Sequence, residues 1–104
     1  MKPVSEKNLA ARLNNLNERI ASACRASGRS SEAITLIGIS KTKPAEDVAA
    51  AHALGMKDFG ENYLQEASAK IDALEGLAAI WHYVGKIQSN KTKEVAKYFD
   101  WVHT

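Results

Sequence analysis

Ile34-Thr35-Leu36-Ile37-Gly38-Ile39-Ser40-Lys41-Thr42-Lys43-Pro44 is an apolar run that stops abruptly on a lysine. Continuous apolar runs of this length read as strands buried on both faces, as in parallel sheets. The expected strand covers Ile34 to Ser40. Pro44 suits the first turn of a following helix, where its missing N–H costs nothing. Glu46 and Asp47 complement the positive end of that helix, and Val48, Ala51 and Leu54 give it an apolar face. Lys41 therefore stands at the C-terminal mouth of a strand, the place where α/β proteins put their chemistry. Burial there, together with Lys43 nearby, is expected to lower the pKa of its amine, so that it can attack a carbonyl as the free base.

Outward from this stretch the same pattern repeats. Gly55 ends the helix, and a short strand, Lys57 to Phe59, leads through Gly60-Glu61-Asn62 into a second helix. Leu64, Ala67, Ile71 and Leu74 share one side of that helix, and Glu66 and Lys70 are placed to pair on its exposed side. A third strand, Ile80 to Val84, is followed by Gly85 and a helix from about Asn90 to Tyr98; Trp101-Val102 begins a fourth apolar segment. Strand starts near 34, 57, 80 and 100 have the spacing of compact βα units with parallel strands. Upstream, a helix is expected from Ser5 to Ser27, with Ser5 as N-cap and Gly28 just past its end. Its apolar stripe is Leu9, Leu13, Leu16, Ile20 and Ala23, and Cys24 falls on the same side as a small buried hydrophobe.

Two architectures fit this order: an open doubly wound sheet, or part of a (β/α)₈ barrel. A complete barrel takes about 250 residues, so 104 residues supply about half of one. The expected fold class is α/β, the N-terminal half of a TIM-type barrel preceded by an amphipathic helix. Residues 1–104 then form one partial domain, with a leading helix over 5–27 and about three and a half βα units over 34–104. The composition, 45% hydrophobic and 25% charged with a net charge of +2, is that of a soluble globular chain with no pull toward nucleic acid or anionic membrane. A single cysteine allows no internal disulfide and fits a reducing cytoplasm. The first residues lack the apolar core of a secretory signal, and no stretch approaches the ~20 apolar residues of a membrane span.

An aldehyde cofactor such as pyridoxal phosphate is a natural partner for an activated lysine, which makes Lys41 a candidate Schiff-base site. The alternative is an ordinary solvated loop lysine. Three segments at strand ends bear on the choice: Ile37 to Pro44, Asp58-Phe59-Gly60-Glu61-Asn62-Tyr63-Leu64-Gln65-Glu66, and Trp81-His82-Tyr83-Val84-Gly85-Lys86-Ile87-Gln88-Ser89-Asn90-Lys91. In that order and spacing they resemble the pyridoxal phosphate homeostasis proteins, a family with the alanine-racemase-like barrel of fold-type III pyridoxal phosphate enzymes. The resemblance covers nearly the whole chain but only the first half of a full-length member.

The resemblance implies that Lys41 holds pyridoxal 5'-phosphate covalently and that Asn62 and His82 line the cofactor pocket. Gly85, Gln88 and Asn90 belong to the same rim, where Lys86 is a mild departure from the usual residue. Asn62 has an alternative as N-cap of its helix, with Gln65 three residues on, and His82 as a histidine satisfied inside the barrel. Loops expected to hold the phosphate follow later strands, beyond this sequence. The function implied is intracellular pyridoxal phosphate homeostasis, that of a carrier or regulator rather than an enzyme, with no catalytic residue and no metal assigned. Pyridoxal phosphate-dependent apo-enzymes are the expected partners, and a full-length form is expected to be a monomer or weak dimer.

A fold-type III amino-acid racemase is the alternative, but it needs a second acid–base group on the opposite face of its substrate. A nucleic-acid surface built from Lys86, Lys91, Lys93 and Lys97 is the remaining rival; Glu94 and Asp100 interrupt it, and a solvated helix face is the ordinary explanation. Half a barrel exposes a strand edge and an uncovered sheet face, so weak cofactor retention and self-association are expected of the chain alone.

Overall fold

The computed structural model describes residues 6–103, so the expected cap at Ser5 lies outside the described residues. The leading helix α1 spans Glu6–Ser27. It ends at Gly28, whose φ of +73° is open to glycine at no steric cost. The Arg29 N–H reaches the Cys24 carbonyl at 2.9 Å and the Gly28 N–H reaches Arg25 at 3.4 Å, the paired bonds of a Schellman cap. Leu13 and Cys24 are buried, whereas Leu16 and Ala23 of the expected stripe are exposed. The covered stripe is narrow: α1 makes its main contacts with one neighbouring helix and a short turn, and Leu9 packs against the core.

Four strands follow, β1 (Ile37–Ile39), β2 (Asp58–Glu61), β3 (Ile80–Val84) and β4 (Trp101–His103), alternating with helices α2 (Ala45–Ala53), α3 (Leu64–Ala73) and α4 (Thr92–Tyr98). The sheet is wholly parallel, in the order β1-β2-β3-β4. An order that never reverses is that of a barrel rather than of a doubly wound sheet, which turns back at a switch point. The third strand has the expected bounds. The first is shorter than expected, because its ladder starts with Ile37 opposite Asp58 and residues 34–36 have no strand beside them. Ser31–Ala33 instead form a 3₁₀ turn that Ile34 closes by donating to Ser31. The second strand starts one residue late and runs on to Glu61, since β3 offers partners as far as Tyr83. A 3₁₀ turn at Ser89–Lys91 takes the place of the expected first turn of α4.

Helices α2, α3 and α4 all cover one face of the sheet. Phe59, Trp81 and Tyr83 project from it into a core completed by Val48, Ala51, Ala67, Val95 and Phe99. The Phe59 and Trp81 rings lie 5.7 Å apart, and Tyr83 meets Phe99 edge-on at 5.1 Å. Each large side chain buried here contributes about 1.5–3 kcal/mol. Leu54, expected on the apolar face of α2, is its exposed C-terminal cap. The opposite face carries Ile37, Ile39, Gly60 and Val84 in close packing. A methyl group on Gly60 would come within 2.7 Å of Ile39 Cδ1 and 3.2 Å of Ile37 Cγ2, so those side chains would have to shift to admit it. This second face lacks a helical layer among the described residues, and it leaves Ile39 53% and Trp101 59% exposed.

Candidate functional site

β1 delivers Lys41 to a tight turn at the C-terminal end of the sheet. Ser40 still pairs with β2, its N–H reaching the Gly60 carbonyl at 2.9 Å, and the Lys43 N–H closes the turn on the Ser40 carbonyl at 3.0 Å. Thr42, third in this turn, has φ +65°. Positive φ at that position is normally given to glycine, and a β-branched residue held there costs on the order of 1–3 kcal/mol. Lys41 and Lys43 are both exposed, so the burial expected of Lys41 is not supplied by the described residues.

Behind the turn lies a polar cluster that the sequence reading did not find. Lys70 Nζ donates to the Ser40 carbonyl at 2.7 Å and to Glu61 Oε2 at 2.8 Å, and approaches Glu66 Oε1 at 3.3 Å. The Ser40 hydroxyl donates to the same Glu61 oxygen. Glu66 Oε1 also accepts the Thr42 N–H at 2.5 Å. Glu61 and Lys70 are 1% and 6% exposed, so the ion pair sits inside the sheet–helix layer. The Glu66–Lys70 pair anticipated on the outer side of α3 therefore exists, but with its lysine buried. Alternation along β2 held the signal: Glu61 is two residues past buried Phe59, on the same face. On α3, Lys70 lies three residues from fully buried Ala67.

Asn62 leaves β2 at the same end of the sheet. Tyr63, not Asn62, is the N-cap of α3, and it makes no side-chain cap bond. The capping alternative for Asn62 is therefore not adopted. Asn62 Oδ1 is buried without a hydrogen-bond partner. Glu61 Oε1 is buried and unpartnered as well. Gly85, just past β3, lies beside Asn62: a methyl group there would make ordinary contact with Asn62 Cβ at 3.7 Å.

His82 sits deeper, 3% exposed and in register with Gly60. Its Nε2 is 2.7 Å from Asp58 Oδ2 and its Nδ1 is 2.9 Å from His103 Nε2. A carboxylate can only accept, so Nε2 is the donor; in the neutral ring Nδ1 then accepts from His103. The ring stacks on His103 at 5.1 Å and lies nearly parallel to Trp101 at 6.3 Å. Both nitrogens are thus engaged within the sheet, and neither bonds to Asn62 or Lys41. Lys41, Asn62 and His82 stand on three neighbouring strands or their C-terminal exits, near one another by topology rather than by contact. Of the rim residues, Gln88, Asn90 and Lys86 are exposed. Lys93 and Lys97 on α4 are exposed too, with Lys97 lying 5.3 Å from the centre of the Tyr98 ring.

No protein-family model matches the chain. Curated relatives do. A pyridoxal phosphate homeostasis protein of Pseudomonas aeruginosa is 48% identical over 96 residues, covering 92% of this chain and 42% of the relative. One of Escherichia coli K12 is 44% identical over 99 residues, with the same two coverages. Among solved structures, PipY of Synechococcus elongatus with PLP bound superimposes with a TM-score of 0.68 at 41% identity, over 84% of this chain and 40% of that one. The chain spans less than half the length of the proteins it matches. These relatives are named as homeostasis proteins rather than as enzymes. Among the described residues no helix is long and apolar enough to cross a membrane. Sheet order, the lysine turn and these identities agree: the chain is a relative of the pyridoxal phosphate homeostasis proteins and corresponds to their N-terminal half.

Proposed function

We propose that this chain is the lysine-bearing half of a pyridoxal phosphate-binding barrel that stores and delivers the cofactor rather than using it in catalysis. The observation that carries the reading is an accessible amine, Lys41, on a turn braced from behind at the C-terminal end of a parallel sheet. The relatives' names and PLP in the related PipY structure support the choice of ligand. Lys41 would hold the cofactor through its amine, and the chemistry the cofactor would supply is an aldehyde carbon that takes the amine nitrogen and gives up its oxygen as water.

The residues present fit such a group. Lys41 supplies the nucleophile, and Asn62 Oδ1 is an acceptor in want of a donor, which a ring hydroxyl would supply. His82 lines the site through its ring while Asp58 and His103 fix its orientation. In this reading residues 34–104 form an incomplete barrel, which needs the rest of a full-length protein to hold the phosphate and cover the inner face. That protein is cytoplasmic, a monomer or weak dimer, and its partners are pyridoxal phosphate-dependent apo-enzymes.

The test uses two assays on a full-length protein containing this chain and loaded with pyridoxal phosphate. The carrier reading expects it to reactivate a pyridoxal phosphate-dependent apo-enzyme and to leave single amino-acid enantiomers unconverted. Sustained interconversion of enantiomers would replace it with a racemase.

A further inference from the structure

We infer that Glu66 and Lys70, both on α3, are positioning residues for Lys41: together they hold the two peptide groups between which the lysine is strung. The Ser40–Lys41 peptide is fixed through its carbonyl, which accepts from Lys70 Nζ at 2.7 Å. The Lys41–Thr42 peptide is fixed through its N–H, which donates to Glu66 Oε1 at 2.5 Å. Both anchors come from the next βα unit, so the lysine's backbone is tied to a neighbouring helix as well as to its own turn, where the Lys43 N–H also donates to the Ser40 carbonyl. This inference rests on the reading of Lys41 as the amine that captures the cofactor.

The arrangement costs more than a loop needs. Thr42 is kept at φ +65°, where glycine would sit without strain. The Lys70–Glu61 pair is taken out of water, and a buried pair of this kind is often no more stabilising than apolar residues of the same volume. What both features secure is direction. A backbone held on each side of one residue fixes where its Cα–Cβ bond starts, which narrows the arc that a long flexible side chain sweeps. Lys43, two residues on, has its N–H in the turn but no such pair of anchors, and it serves as an internal reference.

Pyridoxal phosphate itself is the probe. The chain is incubated with it, reduced with borohydride and mapped for the ratio of label at Lys41 to label at Lys43. Thr42 amide hydrogen exchange is followed in parallel. Glu66 is partly exposed and Glu66→Ala should fold. It is expected to lower the ratio roughly tenfold, the worth of a charge-assisted hydrogen bond, and to speed Thr42 exchange. Glu66→Gln keeps an acceptor and should restore the ratio to within about twofold of the unsubstituted chain. Lys70→Met removes the other anchor and should act like Glu66→Ala; if it does not fold, the Glu66 pair decides alone. An unchanged ratio in Glu66→Ala, with Thr42 exchange accelerated, overturns the positioning role and leaves the cofactor reading standing. Equal labelling of Lys41 and Lys43 in the unsubstituted chain overturns the cofactor reading, and the positioning role with it.

Discussion

Lys70 is the residue whose removal should be felt most. Its ammonium satisfies the Ser40 carbonyl and one Glu61 oxygen, while the other Glu61 oxygen is already without a partner. Lys70→Ala strands a carboxylate inside the layer, and breaking a buried pair from one side costs about 3–5 kcal/mol. Replacing both members with apolar residues, Glu61→Leu with Lys70→Met, should recover most of that loss, because no charge is then left unpaired. Urea unfolding of the two variants reads the difference directly; a double variant no more stable than Lys70→Ala would show that the pair is not what the layer depends on. Gly60→Ala belongs to the same scale. Its methyl group would push the ends of Ile39 and Ile37 aside, so a loss of about 0.5–1.5 kcal/mol, the cost of displaced rotamers, is expected in the same assay. Lys41 was legible in the sequence because an apolar run ends just before it. Glu61 and Lys70 were not, because a charged residue in the expected connection after a short strand and a lysine four residues from a glutamate both read most simply as solvated. Only the packing of α3 on β2 shows that the two point into the same layer.

At the scale of elements, strand bounds were legible where the apolar run matched the ladder and were missed where it did not, as in β2, which runs on through Gly60 and Glu61. The third strand lies between two others and has the bounds its apolar run implied. The first strand is an edge strand with one neighbour, and half of its apolar run has nothing to pair with. Apolarity alone could not reveal that, since pairing is a property of two segments. The apolar positions of α3 were read well, but Lys70, expected on its outer side, is buried; in α1 the stripe was read too broadly. Val95 anchors α4 to the sheet and is 2% exposed. Val95→Ala should therefore cost about 1–3 kcal/mol through lost burial and the cavity left behind, measured by thermal unfolding. Gly28→Ala meets no atom within 4 Å but must adopt φ +73°, so its cost should be the conformational one alone, about 1–2 kcal/mol. A much larger loss there would mean that the end of α1 is packed more tightly than the cap geometry implies.

In the molecule as a whole, one covered and one uncovered sheet face set what the chain can do. Parallel sheets are stable when both faces are buried, and here β1 and β4 are open edges while Ile39 and Trp101 meet solvent. Barrel closure was legible only as a shortfall in length; the sequential strand order and the one-sided helices make it concrete. An unclosed barrel should hold pyridoxal phosphate weakly, so dialysis is expected to strip it from this chain and leave it on a full-length protein containing the chain. In this reading Lys41 is the amine that captures the cofactor. Borohydride reduction of this chain with pyridoxal phosphate, followed by peptide mapping, tests it without requiring retention. Lys41 is expected to carry most of the pyridoxyl label; label spread evenly over Lys41, Lys43 and the other exposed lysines would overturn its role.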